Sequence, residues 1–277
     1  MEINKILEML HMRIVVLFLF FGIAANLNSQ DIPISELAFQ NGERVTYKVY
    51  YNWKFIWVPA GEVTFVVNEK VDLFEFNVEG ISYESYDSFF KVRDYYVSRV
   101  NKKNLIPADF RRDILEGSYQ RYDSLSFDQS EHQVLEYFGK TQSTAREFTF
   151  ELEDKVLDMV SAIYYLRSLP SDHYKDGKDI DLRIFFDKEQ FNIHIRNLGI
   201  EKKKIKSLGK LSCIRLQPEL ITGYVFKEGD LMDIWVSNDD NKVPLQIESP
   251  ISFGSVKVIL KSAENLKYNS SLTELIE

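Results

Sequence analysis

The side chains that could do chemistry are few and scattered. Past residue 30 the chain holds three histidines, His132, His173 and His194, each far from the others in sequence. There is no HExxH helix, GxSxG elbow, glycine-rich phosphate loop or CxxC pair. Metalloprotease, serine-hydrolase, nucleotide-loop and dithiol chemistry therefore lack their motifs. His194 alternates with Ile193 and Ile195, which turns it away from a core and toward solvent. Cys213 is the sole cysteine; it cannot form an internal disulfide and reads as a small packed side chain. Asp230, Asp233, Asn238, Asp239, Asp240 and Asn241 have the composition of a calcium loop. They lack its central glycine and terminal glutamate, and read as a turn that caps its own backbone. No catalytic residue, metal site or cofactor is expected.

Two clusters point to binding. Lys202, Lys203, Lys204, Lys206 and Lys210 form the one local run of positive charge. They read either as a lysine-guarded edge strand or as a contact for a headgroup or anionic polymer. The stretch Trp53 to Ala60 (WKFIWVPA) joins two strong strands where a polar connection would be usual. Its exposed apolar residues would mark a binding surface or a plug. The candidate ligand-binding residues are Trp53, Phe55, Ile56 and Trp57, with Phe89 and Phe90 as a second apolar lip in the turn-like stretch from Ser85 to Lys91. Either they bury one another over the end of a barrel, or they form a hydrophobic mouth for a lipid-like ligand or partner.

The elements behind them are mostly strands. Alternating apolar residues recur at Val45-Tyr47-Val49-Tyr51, Val63-Phe65-Val67, Phe74-Phe76-Val78, Phe148-Phe150-Leu152 and Ile180-Leu182-Ile184-Phe186. They continue at Phe191-Ile193-Ile195, Met232-Ile234-Val236, Val243-Leu245-Ile247 and Val256-Val258-Leu260. Turn signals such as Asn41-Gly42 and Glu228-Gly229-Asp230 separate many of them, which predicts an antiparallel meander. Asp154 to Leu169 breaks the period and predicts one helix, with Asp154 as N-cap and Pro170 as stop. Its polar stripe is only Asp158, Ser161 and Arg167, so the helix should be buried on most sides. The expected fold is mainly β: an antiparallel meander forming a barrel or half-barrel around one central α-helix.

Residues 1–30 read as a signal peptide. Arg13 precedes the apolar run Ile14 to Ala25, and a small or polar stretch from Asn26 to Gln30 follows it. The run is short for a bilayer span, which takes roughly 20 apolar residues. No cysteine lies near the exit, so a lipoprotein is not expected. Residues 31–277 then form a single β-rich domain, exported to the periplasm and soluble after cleavage. The net charge of −8 argues against nucleic acid and anionic lipid as nonspecific partners.

Tyr47 to Gly61, Ser85 to Asp94 and Val156 to Leu166 resemble the domain-of-unknown-function 3108 family, as do Gly223 to Asp239 and Lys242 to Ser249. The resemblance implies an exported protein of the Bacteroidetes envelope, with no family activity to carry over. It also implies likeness to lipoprotein carriers, half-barrels closed over an apolar cavity. In that setting Asp123-Ser124-Leu125 is similar to an O-glycosylation signal. The reading that follows is a non-catalytic periplasmic binding or carrier protein with an apolar cavity for a lipid-like ligand and possible peripheral membrane contact. An envelope assembly or structural protein is the alternative, and a glycan-active enzyme with two converging carboxylates comes third.

Overall fold

A computed structural model describes residues 36–53, 56–174, 178–206, 208–220, 230–251, 254–270 and 272. Residues 1–30, expected to be a signal peptide, lie outside them. Fourteen strands make one antiparallel sheet: β1 (Arg44–Trp53), β2 (Ile56–Glu69), β3 (Leu73–Ser82), β4 (Val92–Asn101), β5 (Pro107–Glu116), β6 (Tyr119–Asp128) and β7 (Gln133–Gly139). The rest are β8 (Arg146–Glu151), β9 (Ile180–Phe186), β10 (Glu189–Ile205), β11 (Gly209–Pro218), β12 (Asp233–Ser237), β13 (Pro244–Pro250) and β14 (Ser255–Glu264). The spatial order is β8-β7-β6-β5-β4-β3-β2-β1-β14-β13-β12-β11-β10-β9. Most strands thus lie beside their sequence neighbours, and β1 pairs with β14. Among the described residues no ladder joins β8 to β9, so the sheet is open.

Alternation explains most strands. In β3 and β4 every second residue is buried, with Phe74, Phe76 and Val78 on one and Val92, Asp94, Tyr96 and Ser98 on the other. From β4 to β7, however, the buried face carries charge as well as apolar groups. Asp94, Arg112, Glu116, Arg121, Asp123 and Glu136 are all at most 7% exposed. These strands escape a search for apolar alternation because their inward positions are not uniformly apolar.

Two α-helices are described, α1 (Glu84–Phe90) and α2 (Met159–Arg167). The turn expected from Ser85 to Lys91 is therefore α1. The Arg93 guanidinium ties Asp87 in the first turn of α1 to the start of β4. The helix expected from Asp154 is shorter at its start. Asp158, not Asp154, is the N-cap, accepting from Val160 N (2.8 Å) and Ser161 N (2.9 Å). Residues before it extend instead, and Leu157 bridges to Ile184 of β9, satisfying backbone that a longer helix would have used.

The three polar residues of α2 are buried and partnered. Asp158 accepts from Ser98 Oγ of β4 at 2.6 Å, and the Ser161 hydroxyl accepts from Asp158 N at 2.9 Å. Arg167 grips Glu43 through two hydrogen bonds of 2.6 and 3.0 Å and donates to the Ala38 and Asn241 carbonyls. Tyr164 stacks on Phe76 with ring centroids 3.7 Å apart and meets Phe39 edge-on at 5.1 Å.

Side chains bridge the two ends of the open sheet. Arg112 and Arg121 each bond both Asp123 and Asp187, an alternating ring of two cations and two anions. Asp187 lies in the β9–β10 turn, on the far side of the strand order from β5 and β6. Burial alone would raise the Asp187 carboxyl, but Arg112 and Arg121 outweigh it and hold it below its usual value. Phe185 of β9 touches Phe127 of β6 and Phe150 of β8, at 6.3 and 5.6 Å between centroids.

Candidate functional site

In the apolar stretch from Trp53 to Ala60 the described residues belong to paired strands, Trp53 ending β1 and Ile56 to Ala60 opening β2. Tyr51 pairs with Val58, Asn52 with Trp57 and Trp53 with Ile56. Pro59, opposite Tyr50, falls beside the point where the β1–β2 register shifts, between Val49 and Tyr50, a position at which a missing N–H costs least. Farther along, Gly61 lets β2 press against β3, since a Cβ there would lie 2.2 Å from the Ile81 carbonyl oxygen. At the tip Ile56 is 66% exposed and Trp57 39%. Phe55 and the side chains of Trp53 and Phe89 lie outside the described residues. Phe90 packs on the Gly117 turn of β5 and β6, three strands along the sheet from β2.

Trp57 borders a hollow of about 260 Å³, lined also by Tyr50, Lys203, Lys204, Lys206, Gln246, Glu248, Lys257 and Ile259. β1, β13 and β14 supply one part of the lining. The far end of β10 supplies the other, because β9 pairs only as far as Ile195 and leaves Lys202–Ile205 to run on with β11. Among the described residues this stretch pairs with β11 alone. It also reaches the β1–β2 hairpin side: Lys206 Nζ stands 5.5 Å from the Tyr50 ring centroid.

Aromatic faces fix the lysines. Lys257 Nζ lies 4.5 Å from the Trp57 ring and Lys203 Nζ 3.4 Å from the Trp235 ring. Trp235 in turn donates from Nε1 to Glu201 at 2.5 Å. Glu248 is the one carboxylate in the lining, 3.1 Å from Lys257 Nζ and 4.0 Å from Lys203 Nζ. Cations over aromatic faces beside a half-exposed tryptophan can hold an anionic group and cover adjoining apolar surface. Ile56, Trp57 and the lysine run were legible as separate candidates. Tyr50, Trp235, Glu248 and Lys257 were not, because only the curl of the sheet brings them beside that run.

Other candidates settle elsewhere. His194 sits between Asp181 (Nδ1 to Oδ1, 2.8 Å) and Asp179 (Nε2 to Oδ2, 3.2 Å), and the hydrogen bond to Asp181 raises its pKa. Cys213 is buried, and burial pushes its thiol up to about 11. Asp239 accepts from Ser237 Oγ, Asn241 N and Lys242 N, the self-capping turn expected of that segment. Asp123-Ser124-Leu125 lies mid-strand in β6, its aspartate locked in the ionic ring, its serine half-buried and its leucine in the core.

The interior also holds a carboxyl pair. Burial, and then the charge of Glu116, push the Asp94 carboxyl far above its usual range. Both residues are at most 1% exposed. Between α2 and strands β1, β2 and β13, a hollow bounded by Val45, Tyr47, Phe65, Tyr164 and Ile247 measures about 20 Å³, room for roughly one water. Side chains, not an apolar cavity, occupy this part of the interior.

Fold and groove define a mainly β protein on one open antiparallel sheet. Residues 46–261 match the protein family of unknown function DUF3108, and the chain belongs to that family. No curated protein matches the sequence. Among solved structures, a beta-barrel-like protein of the DUF1849 domain of unknown function from Brucella abortus is similar with a TM-score of 0.55 and 8% identity, over 83% of this chain and 100% of that one. A hypothetical protein from Chlamydia trachomatis is similar with a TM-score of 0.37 and 7% identity, over 88% of this chain and 96% of that one. The first likeness is one of fold alone.

Proposed function

We propose that this chain is an exported, non-catalytic binding or carrier protein of the cell envelope whose ligand seat is the groove beside Trp57. The apolar run before residue 26 supports export to the periplasm. In this reading the open sheet is a half-barrel around α2, whose segment touches β3 through Phe76, β4 through Ser98 and β9 through Ile184. One observation carries the binding role: Trp57, 39% exposed, stands under the Lys257 ammonium at the rim of a hollow of about 260 Å³. An exposed indole at a concave, partly charged rim suits an amphiphilic ligand. The sealed Asp94–Glu116 pair does not suit glycan hydrolysis, in which two carboxyls flank an accessible bond. The purified chain should brighten a lipophilic dye, and Trp57→Ala should reduce that response several-fold; an unchanged response would remove the groove as ligand seat. If Trp57→Ala instead abolishes capture of an envelope protein and leaves the dye response intact, the assembly role takes its place.

A further inference from the structure

We propose that the groove receives the phosphate-bearing head of an anionic amphiphile, while Trp57 covers the start of its apolar tail. The inference rests on the reading of the groove as the ligand seat and names the ligand class for it. Charge distribution is the first argument. Lys203, Lys204, Lys206 and Lys257 line the hollow against the single carboxylate of Glu248. The whole chain has the opposite balance, 42 acidic residues to 34 lysines and arginines. A cationic concavity on an acidic protein focuses positive potential where the rest of the surface repels anions.

Preorganisation is the second argument. Lys203, Lys206 and Lys257 stand over Trp235, Tyr50 and Trp57 at 3.4, 5.5 and 4.5 Å from the ring centroids. The aromatic faces limit the freedom of the lysine stems, while each ammonium has three donors to share. Phosphate suits such point charges. Size is the third argument: about 260 Å³ is below the roughly 300–1,000 Å³ of sites that enclose a drug-sized ligand. A headgroup fits; an acyl chain must run along the rim, where the Trp57 ring is 39% exposed.

Co-sedimentation of the chain with vesicles tests this. Binding is expected to vesicles of phosphatidylcholine with phosphatidylglycerol, not to phosphatidylcholine alone, and should weaken with added salt. Lys203→Gln and Lys257→Gln should each weaken it about fivefold, and the double variant roughly thirtyfold. Both side chains are only a quarter exposed, so the loss counts for the headgroup only with an unchanged far-UV spectrum, and a changed spectrum with lost binding counts against it. A short-chain phosphatidic acid should compete at far lower concentration than inorganic phosphate. Equal binding to both vesicle types, or full binding by the double variant, overturns the headgroup assignment. Equal competition by inorganic phosphate overturns it in favour of a free anion. If Trp57→Ala then still loses the lipophilic dye, the groove remains the ligand seat and only its ligand class is wrong; if it does not, both readings fall.

Discussion

Glu136 is 1% exposed, and its Oε2 has no hydrogen-bond partner among the described residues. Burial, and then the charge of Asp123, raise its pKa to about 7. The folded chain therefore holds a proton that the unfolded chain releases near pH 4.3. The unfolded state binds fewer protons between these values, so stability falls as pH rises from about 4.5 through 7. Glu136→Gln, which mimics the protonated form, should flatten that slope. Thermal melts should show the variant gaining roughly 2 kcal/mol more over the parent near pH 8 than near pH 5. Asp158, raised to about 6 chiefly by burial, acts in the same direction. As N-cap of α2 it serves two backbone N–H groups and Ser98, so Asp158→Ala should cost at least about 2 kcal/mol in a denaturant titration. The sequence marked Asp158, Ser161 and Arg167 as the polar stripe of the helix but could not supply their partners. Ser98, Glu43 and the Asn241 carbonyl lie 60 or more residues away.

Among the elements, apolar alternation found most strands but missed β4 to β7, where charge faces inward, and β11. The ionic ring of Arg112, Arg121, Asp123 and Asp187 explains that departure, since it joins β5 and β6 to the β9–β10 turn. Removing one member strands an opposite charge in the interior. Arg121→Ala should therefore lose about 3–5 kcal/mol, read as a lower urea midpoint, and urea titrations that match the parent would remove the ring as a tie between the two ends of the sheet. The β1–β2 hairpin was legible as apolar and out of place, but Trp53 to Ala60 lies in a segment where strand and loop predict the same exposure. Pairing between β1 and β2 decided it, and β2 enters register with β3 at Gly61. Gly61→Ala should disturb that register, because backbone rather than a movable side chain occupies the Cβ position. It should destabilise the chain by about 1–3 kcal/mol and weaken groove binding with Lys203 and Lys257 intact.

At the scale of the molecule, the mainly β antiparallel class was readable from period and turns, and family membership from segments spread along the chain. Cavity content was not readable, because Phe39, Phe76 and Tyr164 fill space beside α2 that periodicity alone cannot distinguish from a hollow. Nor was the groove, which needs Lys203 and Trp57 from strands six places apart in the sheet order. An acidic chain with a cationic, aromatic-lined concavity should be selective in what it carries. Native mass spectrometry of the chain and of Trp57→Ala, purified from the same cells, tests this most directly. A bound amphiphile should appear on the parent and be lost from the variant. The same mass retained at equal occupancy on Trp57→Ala would contradict the outer groove as the seat of binding.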